Sequence, residues 1–256
     1  MGALHAGHLA HVPALRRRGA DSVAVSIFVN PTQFGPGEDL DRYPRPLEAD
    51  LTACRDAGVD AVFHPDADEV YPPAQAATPL TLDVPALTGV LEGTDRPGHF
   101  AGVCRVVAKL LIGLMPDLAS FGEKDFQQLA VVRAMTMDLG LPVELLPVPI
   151  VREPDGLARS SRNLYLTPVQ RASATALVRA LGTARAAFAN GQRNPGVLER
   201  HMAAVLDAAA GVDPVYAVIR DPGTLGPVAE AGPHTRALIA ARLGTTRLID
   251  NAALGG

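Results

Sequence analysis

The apolar positions of this chain fall into short runs that alternate between the period of a helix and that of a buried strand. Residues 22–29 (SVAVSIFV) are a near-continuous apolar, β-branched run, the pattern of a strand covered on both faces, and Asn30-Pro31 ends it. Residues 8–18 (HLAHVPALRRR) read as a short helix closed by Gly19. Residues 46–57 (PLEADLTACRDA) read as a helix with proline at its start, followed by Gly58 and a second buried strand, VDAVFH. Residues 66–98 are rich in Pro, Gly, Asp and Thr and hold little regular structure beyond a short TLDV strand. A strongly apolar helix over 101–115 is stopped by Pro116, a strand lies around LASF, and a helix runs from Asp125 to about Asp138. Gly140 and Pro142 break the chain before a further apolar strand over 143–151 (VELLPVPIV). This alternation of helix and strand predicts an α/β domain built on a doubly wound parallel sheet.

The pattern changes near residue 151. A polar loop, REPDGLARSSRN, leads into two Ala-rich helices, over about 168–190 and 195–210. Three short strands follow: DPVYAVIRDP, TRALIAARLG and TTRLIDN. Helices followed by a run of strands predict a small α+β domain, so the expected division is 1–150 and 151–256.

Composition narrows the classes. The chain has 256 residues, 48% apolar and 20% charged, enough to bury a sizeable core. A net charge of −4 leaves no global basic field for a nucleic acid. The run Arg16-Arg17-Arg18 reads as a helix end, where cations suit the dipole. No apolar run reaches the ~18 residues of a membrane span, and no charged segment leads into an apolar one at the start. Two cysteines, Cys54 and Cys104, without metal-like spacing, fit a reducing cytoplasm. Of 23 basic residues only two, Lys109 and Lys124, are lysine. Lys109 lies inside the apolar helix and reads as a side chain snorkelling from a core face.

In open α/β sheets ligands bind beyond the carboxyl ends of the strands. Three loops at such positions hold polar residues that strand packing does not need: Asn30-Pro31-Thr32-Gln33-Phe34, Gly122-Glu123-Lys124-Asp125-Phe126-Gln127-Gln128, and Arg159-Ser160-Ser161-Arg162-Asn163. They are expected to face one crevice. Lys124 sits in a chain that otherwise uses arginine, which points to a compact ammonium on a phosphate; a solvated turn residue is the alternative. Ser160, Ser161 and Arg162 offer two hydroxyls and a fork donor for phosphate oxygens. Gln33, Gln128 and Asn30 carry amides that both donate and accept, or that serve the fold alone. Upstream, His5-Ala6-Gly7-His8 places two imidazoles on one helical face, at a helix start that attracts phosphate, with Gly7 letting it approach. Taken alone the motif is equally read as two exposed histidines near a terminus.

HxGH, SIFVNPTQFGPGEDLDRYPR, HFAGV, FGEKDFQQL, and DGLARSSRN followed by YL together resemble the pantoate–β-alanine ligases, and the likeness extends to the terminal AARLGTTRLIDN. The resemblance implies a Rossmann-like nucleotidyltransferase domain with a smaller C-terminal domain, a cytoplasmic homodimer, and ATP with Mg²⁺. It implies pantoate and β-alanine as the other substrates, and a pantoyl-adenylate intermediate. Carried over by position, His5, His8, Lys124, Ser160, Ser161 and Arg162 match contacts to the ATP phosphates, with His5, His8 and Lys124 catalytic. Met1, Gly122, Val151 and Asp125 complete the ATP set, Asp125 at the ribose. Gln33 and Gln128, with Asn30, match the pantoate clamp, and Tyr43 and Arg96 shape the same crevice. Mg²⁺ is expected on phosphate oxygens and water rather than in a carboxylate cage. Two departures stand out. The family places a strand and a Pro-Thr pair before this segment, so a strand and part of the pantoate pocket are expected to be absent here or to lie upstream. Arg159 stands where the family usually has an apolar residue. A nucleotidyltransferase for another acceptor, and a nucleotide-binding remnant without turnover, are the competing readings.

Overall fold

The computed structural model describes residues 2–75 and 78–255. The chain forms two compact units, one of Met1–Glu123 with Gln127–Pro149 and one of Lys124–Phe126 with Ile150–Gly256. The first is of the α/β class.

It opens with two short helices, α1 (Ala6–Leu9) and α2 (His11–Arg17), in place of one. Strand β1 (Ala24–Ser26), helix α3 (Leu47–Asp56) and strand β2 (Ala61–Phe63) form a βαβ unit whose strands pair in parallel, Val25 opposite Val62. The ladder is shorter than the apolar run, because its partner β2 is itself three residues long. Both strands are also less covered than the run of apolar residues predicts. Val23, Val25 and Ile27 are buried in alternation with Ala24, and Phe63 is 38% exposed. One face packs on Cys54, Leu47, Val59 and Leu4; the other does not. The segment 66–98 folds into single turns, α4 (Ala67–Val70), α5 (Pro85–Thr88) and α6 (Glu92–Asp95). The expected TLDV strand is not formed. Asp83 instead accepts from Val84 N at 2.9 Å and from Thr88 Oγ1 at 2.6 Å, which starts α5.

Helix α7 (His99–Leu114) follows, with Phe100, Val103, Cys104, Val106, Val107 and Leu111 buried along it. Strand β3 (Leu118–Gly122), helix α8 (Phe126–Asp138) and strand β4 (Glu144–Val148) form a second βαβ unit, again parallel, Ser120 opposite Leu146. The described parallel strands thus make two separate pairs, where the pattern predicted one sheet. The arginine run is used within the unit. Arg16 is paired with Asp60 and Arg18 with Glu144. Lys109 does not snorkel from the core alone: its ammonium lies 5.9 Å from the Tyr71 ring, beside Arg105 at 4.7 Å.

The second unit packs helices on an antiparallel sheet. Helix α9 (Pro168–Ala174) starts at a Thr167–Gln170 capping box and gives way at Thr175 to α10 (Ala176–Ala189), so the expected single helix is two. Helix α11 (Pro195–Asp207) follows, and then β5 (Asp213–Arg220), β6 (Arg236–Leu243) and β7 (Thr246–Ala253) in meander order. Leu198, Met202 and Leu206, four apart on α11, are fully buried with Leu177, Leu181, Ile239 and Leu243. Each such side chain contributes about 1.5–3 kcal/mol by leaving water.

Candidate active site

Within the first unit, His5 and His8 form a reciprocal cap around the single turn of α1. His5 Nδ1 accepts from Gly7 N at 3.1 Å, and His8 Nδ1 accepts from His5 N at 3.4 Å. The rings stack at 4.0 Å between centroids and 19° between planes. A ring nitrogen that accepts a backbone N–H carries no proton, so each neutral imidazole holds its proton on Nε2. The turn has four residues and its Gly7 N–H is taken by His5, so the imidazoles, and not a helix dipole, are what this segment offers an anion. The segment ahead of the pair is fixed from α3. Asp50, 2% exposed, accepts from Ala3 N at 2.9 Å and Leu4 N at 2.6 Å. This holds Ala3 at a φ of +49°, a conformation a lone alanine avoids. Met1 lies outside the described residues.

Asn30-Pro31-Thr32-Gln33 folds as a 3₁₀ turn over Pro31–Gln33, capped by Asn30. Asn30 is 3% exposed and its amide is fully engaged by the protein. Its Oδ1 accepts from Tyr71 OH at 2.8 Å and from Thr32 Oγ1 at 2.9 Å; its Nδ2 donates to Gly102 O at 3.1 Å and Gln33 Oε1 at 3.2 Å. The turn sits directly on α7, where a Cβ on Gly102 would lie 2.2 Å from Thr32 O. Among the described residues Gln33 Nε2 has no hydrogen-bond partner, nor does the Gln128 amide. Its neighbour Gln127 is 5% exposed and structural: Nε2 donates to Leu87 O and Val90 O, both at 2.8 Å, and Oε1 accepts from Glu92 N at 3.0 Å.

Arg96 belongs to the same cluster. Its Nε and one Nη each donate to Glu38 at 2.7 Å, and its other Nη lies 3.1 Å from His99 Nε2. His99 Nδ1 lies 2.7 Å from Gln33 O, which fixes Nδ1 as the donor and Nε2 as the acceptor. Burial first, and the Arg96 charge second, hold the His99 pKa down at about 4, so the ring is neutral. Burial raises the Glu38 carboxyl, but hydrogen bonding and charge from Arg96 outweigh it and the net shift is downward. Tyr43 packs edge-on to Phe34, 6.0 Å between centroids. Gly122 ends β3, and His11 reaches the same strand, Nδ1 2.9 Å from Ser120 Oγ, with burial lowering its pKa. Asp50, His99 and His11 escape the sequence reading; only His99 falls within a recognisable motif, HFAGV.

In the second unit Lys124 and Asp125 lie on a 3₁₀ turn ahead of α8, Lys124 Nζ 3.4 Å from Asp125 Oδ1. Residues 151–159 turn back on themselves, with Arg159 N donating to Val151 O at 2.9 Å. Arg159 ends in an ion pair with Glu153 at 3.0 Å, so it braces this loop. Ser160 caps the 3₁₀ turn Ser161–Tyr165, its Oγ accepting from Arg162 N at 3.3 Å while keeping its own proton to donate. Among the described residues no group of three His, Cys, Asp or Glu side chains is placed to hold a metal ion, and no helix is long and apolar enough to cross a membrane.

The sequence matches the family model described as pantoate-beta-alanine ligase over residues 1–253. It is 50% identical to a pantothenate synthetase of Rhodopirellula baltica over 98% of this chain and 88% of that one. It is 52% identical to one of Anaeromyxobacter dehalogenans over 99% of this chain and 89% of that one. The crystal structure of pantothenate synthetase from Thermus thermophilus is 46% identical, superposes with a TM-score of 0.95 and covers 100% of this chain and 91% of its own. That of pantoate-beta-alanine ligase from Francisella tularensis, complexed with beta-gamma ATP and beta-alanine, is 30% identical with a TM-score of 0.78, covering 100% and 88%.

Proposed function

This chain belongs to the pantoate–beta-alanine ligase family, and from that premise we propose how its residues divide the work of ATP-dependent condensation of pantoate with β-alanine. The match over residues 1–253 carries the reading. The reaction runs in two steps. The pantoate carboxylate attacks the α-phosphorus of ATP, forming pantoyl adenylate and releasing pyrophosphate. The β-alanine amine then attacks the acyl carbon, loses a proton, and expels AMP, leaving pantothenate.

Neither step asks the protein for a covalent nucleophile, so its contribution is alignment and charge stabilisation. His5 and His8 donate from Nε2 to phosphate oxygens, which their capped Nδ1 atoms favour. Lys124 supplies a point charge, and Ser160, Ser161 and Arg162 add hydroxyl and guanidinium donors as charge moves onto the leaving pyrophosphate. Gly122 and Val151 serve nucleotide binding, and Asp125 accepts from the ribose. Gln33 and Gln128 clamp pantoate, Gln33 with an Nε2 and Gln128 with an amide that have no partner among the described residues, while Gln33 Oε1 is held by Asn30. Asn30, whose amide is engaged, positions Gln33 and does not itself touch substrate. Arg96 and Tyr43 set the walls around Gln33. Mg²⁺ would enter with ATP, bound by phosphate oxygens and water. Such an ion would supply charge neutralisation of the triphosphate, while His5, His8, Lys124 and Arg162 supply hydrogen-bond donors. We further propose that residues 1–150 and 151–256 act as nucleotide-plus-pantoate and C-terminal domains, in a cytoplasmic homodimer.

The test is release of pyrophosphate from Mg-ATP with pantoate alone. This reading expects stoichiometric release without β-alanine and turnover with it. Release with another acceptor in place of pantoate would support a different nucleotidyltransferase, and no release with any acceptor would leave a binding protein.

A further inference from the structure

The C-terminal LIDN segment plays no part in the roles assigned above, yet its last residues are among the most buried polar groups of the second unit. Asn251, on β7, is 2% exposed. Its Nδ2 donates to the carbonyl oxygen of Lys124 at 3.0 Å, across 127 residues of sequence. Its Oδ1 accepts from Arg236 Nε at 2.7 Å. Arg236 lies on the neighbouring strand, opposite Ala253, which makes it the diagonal neighbour of Asn251 on one sheet face. The guanidinium of Arg236 in turn covers the Phe126 ring at 4.2 Å. Asn251 and Arg236 therefore hold the segment Lys124–Phe126 from both sides of Asp125: one at the lysine carbonyl, the other at the phenylalanine ring.

Asn251 is itself fixed. Asp250, the residue before it and 2% exposed, accepts from Asn251 N at 2.7 Å. It also takes a two-point ion pair from Arg152, at 2.7 and 3.0 Å, and Arg152 donates to Gly156 O at 3.0 Å. Asp250 holds the Asn251 backbone, Arg236 holds its amide oxygen, and the amide nitrogen alone reaches the Lys124 carbonyl. A buried amide held at both its oxygen and its backbone nitrogen has little freedom to turn, so its donor bond constrains the Lys124 backbone.

We propose that Asn251 is a positioning residue for Lys124: through the lysine carbonyl it sets the reach of the ammonium that serves the ATP phosphates. This rests on the phosphate role given to Lys124 above. The substitution to make is Asn251→Asp, which keeps the side-chain shape and the acceptor for Arg236 and replaces the donor to Lys124 with an oxygen. A misplacement of about 1 Å in a charged group costs up to about 100-fold in rate. We expect kcat for pantoate-dependent pyrophosphate release to fall about 10- to 100-fold, with KM for pantoate within about twofold of the parent. The decisive readout is a cycle with Lys124→Ala. If Asn251 acts through Lys124, adding Asn251→Asp to the Lys124→Ala enzyme changes kcat by less than about twofold. Equal losses in the two backgrounds, or an Asn251→Asp enzyme at full rate beside a crippled Lys124→Ala enzyme, would overturn the proposal while leaving the role of Lys124 intact. Full activity of Lys124→Ala would remove that role and the proposal together. Asn251→Ser, run through the same cycle, decides the matter if the aspartate variant does not fold.

Discussion

Lowering the pH from 7 to 5 should remove about 2 kcal/mol of folding stability through one side chain, His99. The pKa of this imidazole falls from 6.5 to about 4, chiefly through burial and then through the Arg96 charge, against the opposing pull of Gln33 O, Glu38 and Glu92. In the folded protein the ring is therefore neutral at both pH values. In the unfolded chain it takes up a proton as the pH drops through 6.5. The unfolded state binds more protons, so stability falls with pH: it is whole above 6.5 and lost progressively toward 4. The full shift is worth about 3 kcal/mol at about 1.4 kcal/mol per unit, and about 2 of those are lost between pH 7 and 5. The assay is urea unfolding of the parent and of His99→Gln at both pH values. Glutamine keeps one donor and one acceptor but does not titrate. The parent should lose about 2 kcal/mol more than the variant on acidification. Equal losses would refute the view that His99 is held neutral between Arg96 and Gln33 O.

Asp50→Ala leaves the Ala3 and Leu4 N–H groups without their buried acceptor, and should cost about 3 kcal/mol or more in urea unfolding and raise KM for ATP, while Asp50→Asn recovers part of both. The adjacent glutamines should separate: Gln127→Ala loses three buried hydrogen bonds and about 3 kcal/mol of stability, whereas Gln128→Ala should change stability by less than about 0.5 kcal/mol and raise KM for pantoate at least tenfold. Gly102→Ala drives a methyl into Thr32 O; thermal melting should show a loss of about 1–3 kcal/mol, and the displaced Gln33 turn should weaken pantoate binding in calorimetry.

Much of the fold could be read from punctuation. Pro46, Pro168 and Pro195 stand at helix starts, and Gly58 and Gly140 lie just past helix ends with positive φ, so those boundaries fell within a residue or two. Strands were read too generously. SVAVSIFV looks like eight residues of buried strand, but a ladder is only as long as its partner, and β2 offers three residues. TLDV has strand composition and no partner; the Asp83 carboxylate found two local donors first. The site followed the same division. The residues proposed to meet ligand carry unusual chemistry for their surroundings, and Lys124, Gln33 and the histidine pair announce themselves by type and place. Residues that hold them do not. Asp50 looks like any acidic residue in the first turn of a helix, His99 like a residue at a helix start, and Asn251 like the end of a strand. Their partners lie 46, 66 and 127 residues away, a distance that no local pattern spans.

The measurement that tests the central claim most directly is isotope transfer from the acid. With pantoate carrying ¹⁸O in its carboxylate, Mg-ATP and β-alanine, attack on the α-phosphorus predicts that one labelled oxygen leaves with AMP and the other stays in the pantothenate carbonyl. Label in inorganic phosphate or pyrophosphate, or AMP without label, would contradict the adenylate route proposed for this chain.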